Sequence, residues 1–400
     1  MQPKRGFSTQ AVHGGEPERK PWSSLTMPIL QTAVYTFEDT TSMLQYQEEV
    51  HREGRASREE YGRYGNPTQH AAEAKLAELE GGEAALLFAS GMCAITSTLL
   101  ALLSTGDHLV MTDDCYRRTR TFCQEFLRRF GIATTVVPAG DYEALAQAMR
   151  PTTRVVFAES PSNPYLRVLD IPRAAAIAHE AGALLLVDST FATPYNLRPL
   201  DLGADLVLHS TTKYLSGHND VLGGVVIGPW ERLKAVKDAR GTLGGVISPH
   251  SAYLLLRGLK TLALRMAHHN EAGARIAAFL HGHPAVERVH YPGLPDHPDH
   301  AVARAQMRGF ASVISFEVKG GLEAASRVVD ALRIPQIGPS FGGPESLVIQ
   351  PALQSYYDLS PEERAALGIR DNLIRYAAGL EDPDDLIADL EQALARAAAS

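Results

Sequence analysis

The sequence predicts an α/β protein with a mainly parallel sheet, followed by a smaller C-terminal α+β domain. Short apolar runs alternate with stretches of helical periodicity from about residue 68 onward, the pattern of βαβ units. The residues just after those runs are polar, as expected where the strands of an open α/β sheet end at a ligand crevice. Beyond about residue 255 the alternation gives way to a long helical stretch and then an alternating strand.

Taken in order, residues 1–64 read as an irregular N-terminal arm that becomes charge-rich at 51–60. Residues 65–255 form the large domain. Its apolar runs are Ala85–Phe88, Leu109–Met111, Thr135–Val137, Val155–Phe157, Leu184–Val187, Leu206–Leu208 and Val225–Ile227. Helical periodicity falls at 68–80, 116–130, 141–149 and 172–181. Such strands, buried on both faces by the intervening helices, read as continuous apolar runs. Residues 256–400 form the small domain. A helical stretch over 252–281 leads to a Pro/His-rich loop at 283–300, then to a strand over 311–318 with Ile314, Phe316 and Val318 on one face. Pro383 and the neighbouring acids open a final helix, and Leu386, Leu390 and Leu394 mark its apolar stripe.

Composition narrows the class. The chain has 400 residues and 45% hydrophobic content, enough for a large core. A net charge of −8 gives no sign of a nucleic-acid or anionic-membrane surface. The first residues lack an apolar signal segment, and three cysteines are too few for a disulfide framework. The expectation is a soluble cytoplasmic protein. Residues 84–106 carry no charge, but Ser90, Gly91 and several later hydroxyl residues interrupt them. A buried strand, a turn and a buried helix account for them better than a membrane span.

The most informative residues are Lys213 and Asp188, each at the end of an apolar strand, with Ser210 and Thr212 beside the lysine. Pyridoxal 5'-phosphate (PLP) needs an amine for its aldehyde, an anion opposite its ring nitrogen and hydroxyls around its phosphate. A lysine amine must also lose its proton to attack an aldehyde, which desolvation or a neighbouring cation promotes. Ser90-Gly91-Met92 follows a strand and opens a helix, so its N–H groups suit a dianion. Tyr61 and Arg63, in Tyr-Gly-Arg-Tyr-Gly-Asn-Pro-Thr, offer further phosphate ligands before Asn66-Pro67-Thr68 starts a helix.

Together these segments, with Glu-Ser-Pro-Ser-Asn-Pro (159–164), resemble the Cys/Met-metabolism family of PLP enzymes over nearly the whole chain. The resemblance implies PLP fold type I, the aspartate-aminotransferase-like architecture, and a homotetramer of two active dimers. It implies that Lys213 carries the cofactor and shuttles protons, that Asp188 pairs with the ring nitrogen, and that Tyr116 stacks on the ring and assists catalysis. Gly91, Met92, Ser210 and Thr212 would bind phosphate, joined by Tyr61 and Arg63 from a neighbouring subunit. Asn163 would lie near the phenolic oxygen. Ser340 and Arg375 would receive the substrate α-carboxylate.

Within the family, Asp114-Cys-Tyr-Arg-Arg-Thr-Arg, Pro339-Ser-Phe-Gly-Gly and His218-Asn-Asp-Val-Leu-Gly-Gly look most like the plant-type cystathionine γ-synthases. Methionine γ-lyases carry a cysteine where Arg118 stands. The activity this implies is γ-replacement on an activated homoserine with cysteine. Cystathionine γ-lyase and O-acylhomoserine sulfhydrylase chemistry are the alternatives on the same scaffold. An arginine at 118 suits a substrate whose far end is anionic; the competing reading makes Arg117, Arg118 and Arg120 solvated helix charges.

Three other readings are weaker. Gly338-Pro-Ser340-Phe-Gly342 satisfies the Gly-x-Ser-x-Gly pattern of serine hydrolases, but nearby prolines disfavour the required turn and no histidine follows Ser340. The histidines of 281–300 match no metal-ligand spacing and read as a wandering surface loop, so no metal is expected. A noncatalytic binding protein on this fold is disfavoured because Lys213, Asp188, Tyr116 and Arg375 are all present.

Overall fold

A computed structural model describes residues 5–17 and 19–398. The large domain is built on a seven-stranded sheet: β1 (Ala84–Phe88), β2 (His108–Thr112), β3 (Ala133–Val137), β4 (Thr153–Glu159), β5 (Leu184–Asp188), β6 (Leu206–His209) and β7 (Gly224–Gly228). Its spatial order is β1-β7-β6-β5-β4-β2-β3. Only β7 runs antiparallel to its neighbours, so the six remaining strands all end at one edge. The expected mainly parallel sheet is therefore present, and every predicted apolar run lies in a strand.

Helices cover both faces. The helix Pro67–Glu80 starts where Asn66 Oδ1 accepts a hydrogen bond from the Thr68 N–H, with Pro67 in the first turn. It packs on β1 and on the helix Pro249–Leu259 through a cluster that includes Leu76, Leu79, Leu255 and Ile227. The helices Gly91–Leu102 and Trp230–Leu243 cover the opposite face around Phe88, Leu99, Phe157 and Leu233. Residues 84–106 thus divide into β1, a turn and a helix. No helix among the described residues is long and apolar enough to cross a membrane.

The second sheet has five strands, β8 (Val286–His290), β9 (Val313–Val318), β10 (Gln336–Ile337), β11 (Leu347–Ile349) and β12 (Leu373–Ala377), in the order β10-β11-β12-β9-β8. Ile314, Phe316 and Val318 pack with Leu386, Leu390 and Leu394 of the helix Pro383–Ala398, which confirms both apolar stripes.

Four expectations need correction. The arm is not wholly irregular, because it contains the helices Phe7–His13 and Thr40–Glu53. The second has a capping box at Asp39 and Ser42, a local signal that the charged composition masks. The stretch 252–281 is two helices, Pro249–Leu259 and Leu262–His281, and residue 255 lies inside the first. The first packs on the large domain, and the second packs on β8, β9 and the C-terminal helix. The stretch 116–130 is likewise broken, with a π-helical turn over Phe122–Phe126. Finally, 283–300 is not a wandering surface loop. It holds β8, and His290 and His297 are buried, His290 against Glu317 at 2.8 Å.

Leu390 is fully buried at the centre of the small-domain core. Leu390→Ala should lower stability by about 2–5 kcal/mol through lost burial and a residual cavity. A fall in the urea-unfolding midpoint measures it, and an unchanged midpoint would mean that this core is not closed around the final helix.

Candidate active site

The parallel topology brings the polar residues after β1, β2, β4, β5 and β6 to one edge. Asp188 and Glu159 end adjacent strands in direct register. Both are buried, and burial raises both carboxyl pKa values; repulsion from Asp188 adds at Glu159, which is raised most. Glu159 Oε2 accepts the Tyr116 N–H at 2.7 Å. Asp188 Oδ1 accepts from the Thr190 N–H at 3.1 Å and from the Thr190 hydroxyl. Among the described residues no cationic side chain forms an ion pair with Asp188.

Lys213 follows β6 and is half-buried. Its Nζ donates to Ser340 Oγ at 2.7 Å and lies 5.1 Å from the centre of the Phe341 ring. Burial, and then the charge of Arg375, pulls its amine pKa down to about 8. Arg375 comes from β12 of the small domain and is 6% exposed. It donates through Nη1 to Asn163 Oδ1 and through Nη2 to the Ser340 carbonyl, both at 3.1 Å, while its Nε is buried without a partner. The loop carrying Ser340 is pressed against Lys213 and Tyr214. Gly342 has φ +82°, and a Cβ there would stand 2.6 Å from the Tyr214 nitrogen.

The phosphate candidates fall into two groups. Ser90 Oγ caps the Cys93 N–H, which leaves the Gly91 and Met92 N–H groups at the open end of the helix Gly91–Leu102. Ser210 lies directly against this turn, since a Cβ on Gly91 would sit 2.9 Å from Ser210 Cβ. Thr212 Oγ1 is engaged with the Gly223 backbone, donating at 3.3 Å and accepting at 3.1 Å. Tyr61 and Arg63 stand apart: among the described residues they form no hydrogen bond or ion pair with Lys213, Ser210 or Gly91. Arg63 instead donates to the Gly241 carbonyl at 2.6 Å and lies over the Tyr64 ring.

The three arginines after Tyr116 separate clearly. Arg117 pairs with Asp358 and also bonds the Ser355 carbonyl. Arg120 donates to the Asp113 carbonyl at 2.8 Å. Arg118 is exposed and has neither an ion pair nor a hydrogen bond among the described residues. It lines a cavity of about 490 Å³ with Tyr116, Thr121, Gln354, Ser355 and Asp358. Tyr116 itself is 45% exposed on that wall.

Sequence reasoning missed Phe341, Glu159 and Thr190. Phe341 stacks on Phe191 at 4.1 Å and forms the floor under Lys213 and Arg375. Each of the three lies in a quoted motif, Phe341 next to Ser340, Thr190 two residues after Asp188 and Glu159 four before Asn163, and that proximity was the available signal. The serine-hydrolase reading does not survive. Ser340 lies in the loop between β10 and β11, with no helix opening behind it, and Cys115 and Cys123 are buried thiols whose pKa burial raises.

These residues fit PLP on their own chemistry. An amine with a lowered pKa, a buried carboxylate without a counter-cation and a close-packed turn with free N–H groups correspond to its aldehyde, ring nitrogen and phosphate. Comparison with known proteins agrees. Residues 8–395 match the family model for Cys/Met metabolism PLP-dependent enzymes. The chain is 48% identical to cystathionine gamma-synthase 1 of Nicotiana tabacum over 96% of its own length and 71% of the relative's. It is 44% identical to L-methionine gamma-lyase of Pseudomonas putida, with 97% of each chain covered. Its fold superposes on the crystal structure of metB from Corynebacterium glutamicum with a TM-score of 0.91 and 36% identity, over 98% of both chains. With a matched fold, residues whose chemistry suits the cofactor and a family model spanning nearly all of its length, this chain belongs to the Cys/Met-metabolism family of PLP-dependent enzymes.

Proposed function

We propose that the protein catalyses γ-replacement on an activated homoserine (O-phospho-, O-succinyl- or O-acetyl-), with cysteine as nucleophile and cystathionine as product. The observation that carries this reading is the unpaired Arg118 on the cavity wall beside Tyr116, next to an Arg117 already neutralised by Asp358. An unpaired guanidinium at that place suits a substrate with a second anion beyond its α-carboxylate. The likeness to the tobacco cystathionine gamma-synthase supports the same choice.

The chain's own groups divide the work. Arg375, with its free Nε, and Ser340 hold the α-carboxylate, which fixes the Cα–H bond relative to Lys213. Bound PLP supplies an electron sink for the carbanion at Cα. Lys213, its amine pKa already lowered by burial and by Arg375, accepts the Cα proton and returns it later. Asp188 provides the anion that keeps the sink cationic. Tyr116, whose N–H is held by Glu159 and whose side chain shares the cavity wall with Arg118, stacks on the cofactor ring and assists proton transfer. Arg118 holds the leaving group's charge, and Phe341 and Phe191 exclude water below the reacting atoms.

A γ-elimination reading is favoured by one observation, the likeness to the Pseudomonas putida L-methionine gamma-lyase over the full chain. One experiment separates the two. The purified protein is offered each acylated homoserine with cysteine, with sulfide, or alone, and products are identified by mass spectrometry. Cystathionine as the main product supports γ-replacement with cysteine. Homocysteine would indicate a sulfhydrylase, and 2-oxobutanoate dominating in the presence of cysteine would overturn the proposal in favour of a lyase.

Arg118→Ala should raise KM for a phosphoryl or succinyl ester by about tenfold or more, the scale of one lost charged hydrogen bond, while the cofactor absorbance is retained. An unchanged KM would make Arg118 a surface charge.

Lys213 supplies a pH test. Its amine is protonated below about pH 8 in the cofactor-free protein, so the rate of cofactor capture should climb as pH rises through about 8 and then level. Because the folded-state pKa lies below the ordinary lysine value, this group costs stability below pH 8, and the cost disappears toward the ordinary value. A capture rate flat between pH 7 and 9 would contradict the lowered amine.

A further inference from the structure

The loop that carries Tyr61 and Arg63 is fastened by a chain of charged groups that the proposed mechanism leaves unused. Just before the loop, Glu59 bonds His70 Nε2. On the other side of the ring, His70 Nδ1 lies 2.9 Å from Glu73 Oε2. Glu73 Oε1 then accepts from Arg240 Nη1 at 2.6 Å and from the Leu87 N–H at 2.8 Å, and Arg240 also donates to the Leu87 carbonyl at 3.0 Å. Arg240 is 1% exposed and Glu73 5%. The loop returns to the same node, because Arg63 donates to the carbonyl of Gly241, the residue after Arg240. Leu87 lies in β1, which runs directly into the Ser90-Gly91 turn. One network therefore spans the Tyr61–Arg63 loop and the chain's own phosphate turn.

We propose that His70 is a positioning residue: bridging Glu59 and Glu73, it fixes the loop that presents Tyr61 and Arg63 to the cofactor phosphate of a neighbouring subunit. This rests on the reading of those two residues as phosphate ligands in trans, which their separation from Lys213 within one chain supports.

The bridge needs His70 to donate from both ring nitrogens, and its surroundings favour that state. Burial works against the charge, but the bonds to Glu59 and Glu73 outweigh it and raise His70 to about 9. Burial likewise opposes ionised Glu73, yet Arg240 and His70 pull it down to about 2. The His70 side chain keeps 42% of its surface open, toward a cavity of about 820 Å³, so its proton exchanges with solvent.

The other charged or titratable groups around the bridge include Arg240, Lys237 and Asp238 from the helix Trp230–Leu243, Glu60, Tyr35, Tyr46 and Tyr64 near Glu59, and Glu16 and Arg58 on the cavity wall. Burial raises Tyr35, and raises Tyr46 to about 12, so both remain neutral at pH 9. Burial lowers Lys237, so a variant comparison is needed to isolate His70. A histidine whose pKa is raised on folding contributes fully below its ordinary value and loses that contribution as pH climbs through about 9. The loop should therefore loosen on the alkaline side.

The test follows cofactor release from the full-length holoprotein during dialysis, by absorbance, between pH 7 and 10. Wild type should release cofactor about tenfold faster at pH 10 than at pH 8, the scale of one lost charge-assisted bond. His70→Gln and Glu59→Gln should already release it about tenfold faster at pH 7.5, with a flatter alkaline profile, and His70→Lys should restore part of the retention. Arg63→Ala should speed release in the wild type but add little in the His70→Gln background, since one ligand is already displaced.

Additive effects of His70→Gln and Arg63→Ala, or a wild-type alkaline rise that persists in His70→Gln, would overturn the proposal. If Arg63→Ala alone leaves release unchanged, the phosphate reading of the loop falls, and the inference falls with it. Should His70→Gln not fold by circular dichroism, Glu59→Gln, outside the helix, takes its place in the same comparison.

Discussion

Two cations, Lys213 and Arg375, lie in one partly desolvated cluster, and among the described residues neither forms an ion pair with a carboxylate, while Asp188 and Glu159 are buried at strand ends. That electrostatic arrangement dictates most of what surrounds it. Burial lowers both cationic pKa values, pulling Arg375 down to about 10, and the charge of Arg375 adds to the lowering at Lys213. The guanidinium is then held by the Asn163 side-chain oxygen and a backbone carbonyl rather than by a carboxylate. A full counter-charge there would occupy the place a substrate carboxylate needs. The cluster is thus stable enough to fold and poor enough in anions to bind one.

Keeping such a cluster in place needs rigid support from both domains. Lys213 and Asp188 are set by parallel strands of the large sheet, and Arg375 by the central β12 of the small one. The loop between β10 and β11 closes the gap, with Ser340 on the amine and Phe341 against Phe191. Ser315 Oγ, directly opposite Arg375 on β9, donates to the Pro164 carbonyl at 2.7 Å and so couples the small sheet to the Asn163 loop. The surroundings of Arg375 are therefore built jointly by the two sheets and the loops that join them.

The same logic extends outward. Arg117 is spent on Asp358 and the 354–358 loop, so the charge left for a ligand on that wall is Arg118. The three arginines of 117–120 look interchangeable in the sequence, yet Arg117 meets Asp358 far along the chain, Arg120 bonds the nearby Asp113 carbonyl, and Arg118 has no side-chain partner among the described residues. The Glu59–His70–Glu73–Arg240 chain shows the same feature at the other end of the site, where residues distant in sequence converge on one backbone strand.

Much was legible from residue order alone. The alternation of apolar runs and helical periods determined the sheet, its mainly parallel sense and the polar edge where Lys213, Asp188, Ser210 and Gly91 gather, because strand and helix periods are local properties of the chain. Local capping also showed the start at Asn66-Pro67, whereas composition hid the equally local capping box at Asp39. The break near residue 260, the buried state of His290 and His297, and the roles of Phe341 and Glu159 were decided only in three dimensions. Each depends on what an element packs against, and a pattern that repeats every two or four residues carries no record of a partner a hundred or more residues away. Residue type and spacing thus determined which chemistry the chain is equipped for, while tertiary packing decided which charges stay unpaired to perform it, since only packing sets desolvation and counter-charge.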